Sequence, residues 1–233
     1  MLNRDTLISG TFREHFAAVN KDMLWTAEQL RESLLETLRT QPAPGELWVF
    51  AYGSLLWNPI VTFDARRAAT LQGWHRSFCL RSMAGRGTAQ APGRMLALEP
   101  GGCTEGVALR IPAALAEDEL RLMWSREMLM GSYLPTWLPV RFADGTQAHA
   151  ITFLANATRP NYEKDASVDC IAPLIASACG VLGSNADYVL RLAEALAREG
   201  LRDEYVDALV HGIAQCRAAS PAAIPGAAQT HLV

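Results

Sequence analysis

Trp48-Val-Phe-Ala-Tyr-Gly-Ser-Leu-Leu-Trp57 reads as a buried strand that runs directly into a glycine turn. Val49, Phe50 and Tyr52 favour a pleated backbone, and a short continuous apolar run suits a strand covered on both faces. Gly53 has no Cβ and can take a positive φ, which would let the N–H groups of Ser54, Leu55 and Leu56 converge as a cradle for an anion or an oxyanion. Taken alone, a Gly-Ser pair after a strand is an ordinary strand exit. What surrounds the turn decides its meaning.

Downstream the pattern stays strand-like to Leu154. Arg94 to Leu98 and Thr104 to Ile111 are separated by Gly101-Gly102, and Thr136 to Phe142 and Thr146 to Leu154 by Asp144-Gly145, so two hairpins are expected. With strands near 47–52 and 73–81 these make about six, mostly antiparallel, in a strongly curved sheet or small barrel with flanking helices, an α+β arrangement. Residues 24–41 predict a helix, because Thr26 with Gln29 forms a capping-box pattern, Leu30, Leu34 and Leu38 share a face, and Pro42 and Pro44 stop it. This leader is expected to pack as an appendage. A helix is predicted between Pro112 and Gly131, and two more over Asn185 to Glu199, capped by Asn185, and Asp203 to Arg217.

Composition narrows the function. Half of the 233 residues are hydrophobic and the net charge is −3, which fits a core-forming domain and argues against a nucleic-acid partner. No apolar run is long enough to span a bilayer, and the first residues lack the order of a signal peptide, so a cytoplasmic protein without a membrane partner is expected. The five cysteines (Cys79, Cys103, Cys170, Cys179, Cys216) are odd in number and irregularly spaced, and the five histidines are dispersed, so neither a disulfide framework nor a metal site is expected. Nothing in the sequence points to an obligate protein partner.

On the helix after Pro112, positions Ala116, Leu120, Met123, Trp124, Glu127 and Gly131 recur at spacings of three and four, which sets Glu127 among core-facing residues. A carboxylate moved from water toward Met123 and Trp124 has its neutral form favoured and its pKa raised. Periodicity leaves two readings open: a buried base, or one half of an ion pair with a buried arginine.

Tyr52-Gly53-Ser54-Leu55, framed by Val49-Phe50-Ala51 and Leu56-Trp57-Asn58-Pro59, resembles the substrate loop of the ChaC-type, glutathione-specific γ-glutamylcyclotransferases. Further segments resemble that family in order: Gly73-Trp74-His75-Arg76, Gly85-Arg86-Gly87-Thr88, Pro92-Gly93-Arg94, Gly106-Val107-Ala108, Arg126-Glu127-Met128 and Tyr133-Leu134-Pro135-Thr136. Five or more ordered motifs are far harder to match by accident than one. Ala51 departs from the pattern, since the family usually has Gly there.

The resemblance implies a γ-glutamylcyclotransferase-like catalytic domain over 46–219, preceded by a helical extension (1–45) and followed by an Ala/Pro-rich tail (220–233) expected to be disordered. It implies cleavage of a small molecule, glutathione, to 5-oxoproline and Cys-Gly without a cofactor. Glu127 becomes the general base and acid, and Ala51, Tyr52, Gly53, Ser54, Leu55 and Leu56 the substrate loop. Arg94, from the arginines in or beside the Gly-rich loop, and Tyr133, just past the helix end, join them as substrate-binding residues. Two alternatives stand: a non-catalytic γ-glutamyl-binding regulator associated with cation transport, and a cyclotransferase for a different γ-glutamyl substrate. The glycines near Gly85 lack the spacing of a nucleotide loop, and Ser54 lacks a nucleophile-elbow setting.

Overall fold

The computed structural model describes residues 2–42 and 44–219, so the expected disordered tail lies outside the described residues. In chain order the elements are α1 (Arg4–Ile8), α2 (Thr11–Asn20), α3 (Ala27–Arg39), β1 (Leu47–Ala51), β2 (Ala65–Ser82), β3 (Gly93–Ile111), α4 (Ala116–Glu127), β4 (Tyr133–Phe142), β5 (Gln147–Ala155), α5 (Val168–Ser177), β6 (Cys179–Gly180), β7 (Gly183–Ser184), α6 (Asn185–Arg198) and α7 (Glu204–Ala219). The first five strands close into a barrel of order β1-β3-β2-β4-β5. Antiparallel pairing joins all neighbours except β1 and β5, whose parallel contact, Trp48 beside Ala150 and Val49 beside Ile151, closes the ring. No helix among the described residues is long and apolar enough to cross a membrane.

The barrel has five strands because Gly101-Gly102 is not a hairpin turn. Both glycines take positive φ within one long strand, opposite Gly73, where the register shifts between Gln72 paired with Cys103 and Trp74 paired with Pro100. Left-handed glycines serve a bulge as well as a turn, and here they bend the β2–β3 ribbon. The reversal falls instead at residues 83–92, in the Gly-rich loop. The β4–β5 hairpin forms as expected, with Gly145 at φ 84°.

The core explains how α4 is held. Val49, Phe50, Val107, Leu109 and Ile151 from the barrel pack with Leu120, Met123 and Trp124 from α4 in one buried cluster. α3 has its capping box, with Gln29 N–H donating to Thr26 Oγ1, and adds Leu34 to the same cluster. Its carbonyl at Thr37 accepts from the Trp137 indole at 2.6 Å, and Ser33 Oγ lies 3.2 Å from the Trp124 indole nitrogen. The leader therefore shares the barrel's core, where an appendage was expected. α1 is fastened by a two-point pair, Arg4 Nη1 and Nη2 at 2.7 and 2.9 Å from the Glu119 carboxylate. α5 is not anticipated from the sequence, because Pro173 lies within it and reads as a breaker.

α6 is capped by Ser184, whose hydroxyl accepts from Asp187 N–H at 3.0 Å. Asn185, the expected cap, is fully buried and clasps the Arg94 backbone instead, accepting from its N–H and donating to its carbonyl at 2.8 Å.

Gly131, just past α4, has φ 61°, and a Cβ there would stand 2.3 Å from the Trp25 ring. Gly200, past α6, has φ 70° with nothing within 4 Å of its Cβ position. Gly131→Ala is expected to lose about 3 kcal/mol or more of stability in urea unfolding, and Gly200→Ala about 1 kcal/mol from the left-handed backbone alone.

Candidate active site

β1 delivers Tyr52 and Gly53 to one end of the barrel, and a single 3-10 turn, Ser54–Leu56, follows. Gly53 does not take the positive φ expected of it; its φ is −133°. A Cβ here would be tight at 3.1 Å from Leu96 Cδ2 and in ordinary contact at 3.4 Å with the Tyr188 hydroxyl. Leu56 N–H is spent on the Gly53 carbonyl at 2.9 Å, so it leaves the expected cradle. The N–H groups of Ser54 and Leu55 have no protein acceptor among the described residues. Two amides, not three, are available to a ligand.

Glu127 is the last residue of α4, and its side chain is 13% exposed. The apolar stripe of Leu120, Met123 and Trp124 is buried as the spacing predicts, and it carries Glu127 to the cavity described below. Arg126 Nε lies 2.8 Å from Glu127 Oε1, yet its N–H is not aimed at that oxygen, which has no hydrogen-bond partner. The rest of the guanidinium is committed elsewhere. Nη2 donates to Ser54 Oγ at 2.5 Å and Nη1 to the Asn58 carbonyl, which ties the turn to α4. Burial raises the Glu127 pKa, and Arg126 offsets only part of that.

The carboxylate borders a cavity of about 500 Å³, within the range of small-molecule sites. A side recess of about 20 Å³ is formed by Tyr52, Gly53, Ser54, Leu55, Leu96, Glu127, Tyr133, Phe153 and Tyr188. The Tyr52 and Tyr133 hydroxyls donate to the carbonyls of Phe153 and Leu96, so both rings act as fixed walls of the recess. Burial drives their pKa values far up, and that of Tyr188 to about 12, with Glu127 adding to each. All three stay protonated.

The structure thus brings Glu127, Tyr52, Gly53, Ser54, Leu55 and Tyr133 together. Ala51 and Leu56 are buried behind them and line neither space. Arg94 also lines neither, because Asn185 fixes its backbone and its Nη1 points toward Glu163 at 3.8 Å. The cavity's cations are Arg81, Arg86, Arg126 and Arg191. Sequence reading missed Tyr188, whose place in the buried stripe of α6 is indistinguishable from an ordinary core aromatic, and Arg126, whose only signal was its position next to Glu127.

A closed barrel with a carboxylate at the edge of a cavity of this size is the arrangement of a small-molecule site, and solved structures share the fold. The yeast glutathione-specific γ-glutamyl cyclotransferase superposes with TM-score 0.66 at 23% identity, over 74% of this chain and all of that one. In sequence, the chain is 47% identical over 210 residues to the Escherichia coli protein named glutathione-specific gamma-glutamylcyclotransferase, covering 90% of this chain and 91% of that one. The human glutathione-specific gamma-glutamylcyclotransferase 1 is 31% identical, with 75% and 82% covered. Residues 47–216 match the ChaC-like protein family, and this chain belongs to it.

A carboxyl whose pKa is higher in the folded than in the unfolded chain contributes stability below the unfolded value and loses it as pH rises through the folded value. Because Glu127 is of that kind, Glu127→Gln is expected to raise the melting temperature at pH 7 to 8 and to lose the advantage near pH 4. Thermal unfolding across that range measures it; a variant less stable at neutral pH would show that the carboxylate is net stabilising.

Proposed function

We propose that this protein cleaves glutathione to 5-oxoproline and Cys-Gly, with Glu127 as the proton carrier. The observation that carries the reading is the buried Glu127 oxygen, close to Arg126 but accepting no hydrogen bond, in a recess that Ser54 and Leu55 also line. The names of the E. coli and human relatives support the substrate.

The reaction needs no enzyme nucleophile. The substrate's α-nitrogen, as the free amine, bonds to its own γ-carbon while Glu127 accepts one of the amine protons. The resulting oxyanion collapses, the bond to the cysteinyl nitrogen breaks, and that nitrogen takes the proton back from Glu127. Atoms balance without water. A base with a raised pKa is matched to both halves of this transfer, since it accepts readily and still returns the proton.

The chain's other task is to hold the γ-glutamyl group curled, because an extended one keeps amine and carbonyl apart and forfeits the intramolecular advantage. The recess walled by Tyr52, Tyr133 and Phe153 has room for about one water-sized group, such as a substrate oxygen, so the rest of the γ-glutamyl group would lie in the adjoining cavity. An amide aimed at developing negative charge is worth roughly 3 kcal/mol. Ser54 and Leu55 would supply such amides, and the bond from Arg126 to Ser54 Oγ ties their turn to α4.

Incubating the protein with glutathione is expected to release 5-oxoproline, and Glu127→Gln to lower kcat by about 10²- to 10⁴-fold. Release of free glutamate, or full activity in the variant, contradicts the mechanism. Turnover of γ-glutamyl-alanine at the rate of glutathione would widen the substrate class. In the unmodified protein, kcat/KM is expected to rise with pH along a limb whose midpoint lies above the ordinary carboxylate range, because only ionised Glu127 accepts the proton.

A further inference from the structure

We propose that Arg86 receives the glycine carboxylate at the far end of the substrate, so that the cavity gauges a tripeptide between a base at one end and a guanidinium at the other. This rests on glutathione being the substrate.

Arg86 stands on the loop between β2 and β3, which is tied down on both sides of it. Its N–H donates to Ser82 Oγ at 3.0 Å, and Leu182 N–H donates to the Gly85 carbonyl at 3.0 Å. A Cβ on Gly87 would stand 2.2 Å from Gly93 N, and one on Gly180 would stand 2.3 Å from the Gly85 carbonyl oxygen, so backbone packs on backbone along both sides. The side chain is equally well placed. Nη1 donates to the Ser184 carbonyl at 3.2 Å, and Cζ lies 5.6 Å from the centre of the Tyr188 ring. Among the described residues Nε and Nη2 have no hydrogen-bond partner, and no carboxylate forms an ion pair with Arg86.

Two of the other cavity cations are occupied. Arg126 is shared among Glu127, Ser54 and Asn58, and Arg81 is taken by Glu163 at 3.3 Å and the Pro160 carbonyl at 3.1 Å. Arg191 also lines the cavity without an ion pair, but it is exposed. Burial is the main influence that disfavours the charged form of Arg86; Arg191 adds to it, and Tyr188, Asp187 and Cys179 offset part of it. A guanidinium partly stripped of water, with Asp187 near enough to act through its charge but no carboxylate in ion-pair contact, gains from an incoming carboxylate that fits its fork.

Tyr188 sets which carboxylate this is. Its hydroxyl sits at the Gly53-Ser54 turn and borders the recess with Glu127, whereas its ring lies beneath Arg86, which borders only the large cavity. With the γ-glutamyl group at Glu127, Arg86 is left for the opposite end. Two residues of extended chain, about 7 Å, separate the γ-carbonyl from the glycine carboxylate.

The test compares glutathione with its glycine ethyl ester, on the unmodified protein and on Arg86→Gln. Removing the charge from either side is expected to raise KM about 10- to 100-fold and to affect kcat far less, and the two losses should not add. The ester arm on the unmodified protein needs no variant to fold. Equal KM for ester and glutathione on the unmodified protein overturns the assignment, as does an Arg86→Gln loss of the same size on both substrates. Should the unmodified protein not turn glutathione over, the proposed function fails separately, and calorimetric binding then decides: tighter binding of glutathione than of the ester, lost in Arg86→Gln, supports Arg86, while equal or absent binding rejects it.

Discussion

A carboxylate withdrawn from water at the C-terminal end of a helix is the constraint around which this molecule is organised. The last turn of α4 presents carbonyl oxygens, so both burial and the helix dipole disfavour charge on Glu127. Arg126 counters this at 2.8 Å without aiming a proton at Oε1. A guanidinium fully engaged with Glu127 would hold it ionised as half of a structural pair. Because Nη1 and Nη2 are spent on Asn58 and Ser54, the arginine steadies the turn while leaving the acid free to exchange a proton.

Holding such a group requires rigid neighbours on every side, and the barrel supplies them. β1 is paired with β3 along its whole length and with β5 at Trp48 and Val49, which fixes where the Gly53 turn begins. α4 is pinned from beneath by Leu120, Met123 and Trp124 and from outside by α3 through Ser33. The leader goes further, since Leu2, Phe12 and Phe16 form part of the wall of the large cavity. Residues that precede the family match thus help to shape the space into which a ligand fits.

Much of this was legible in the sequence wherever the signal is local. The run into Gly53, the capping box of Thr26 and Gln29, the Asp144-Gly145 hairpin and the stripe that carries Glu127 inward all depend on neighbours a few residues apart. What failed depends on distant partners. Gly101-Gly102 reads alike as a hairpin turn or a bulge, and only its place opposite Gly73 decides. Closure of the barrel rests on β1 meeting β5, about a hundred residues later, for which no local pattern exists. Arg86 and Arg94 are equivalent on paper; Asn185, from α6, turns one into scaffold and leaves the other facing the cavity.

The central claim concerns the ionisation of one side chain, and a ¹³C NMR titration of the Glu127 carboxyl, assigned by its disappearance in Glu127→Gln, measures it directly. The account predicts a midpoint clearly above that of an ordinary glutamate, at about 4.3. A midpoint at or below that value would mean that Arg126 holds the group as a permanent anion, and would contradict the role given to it.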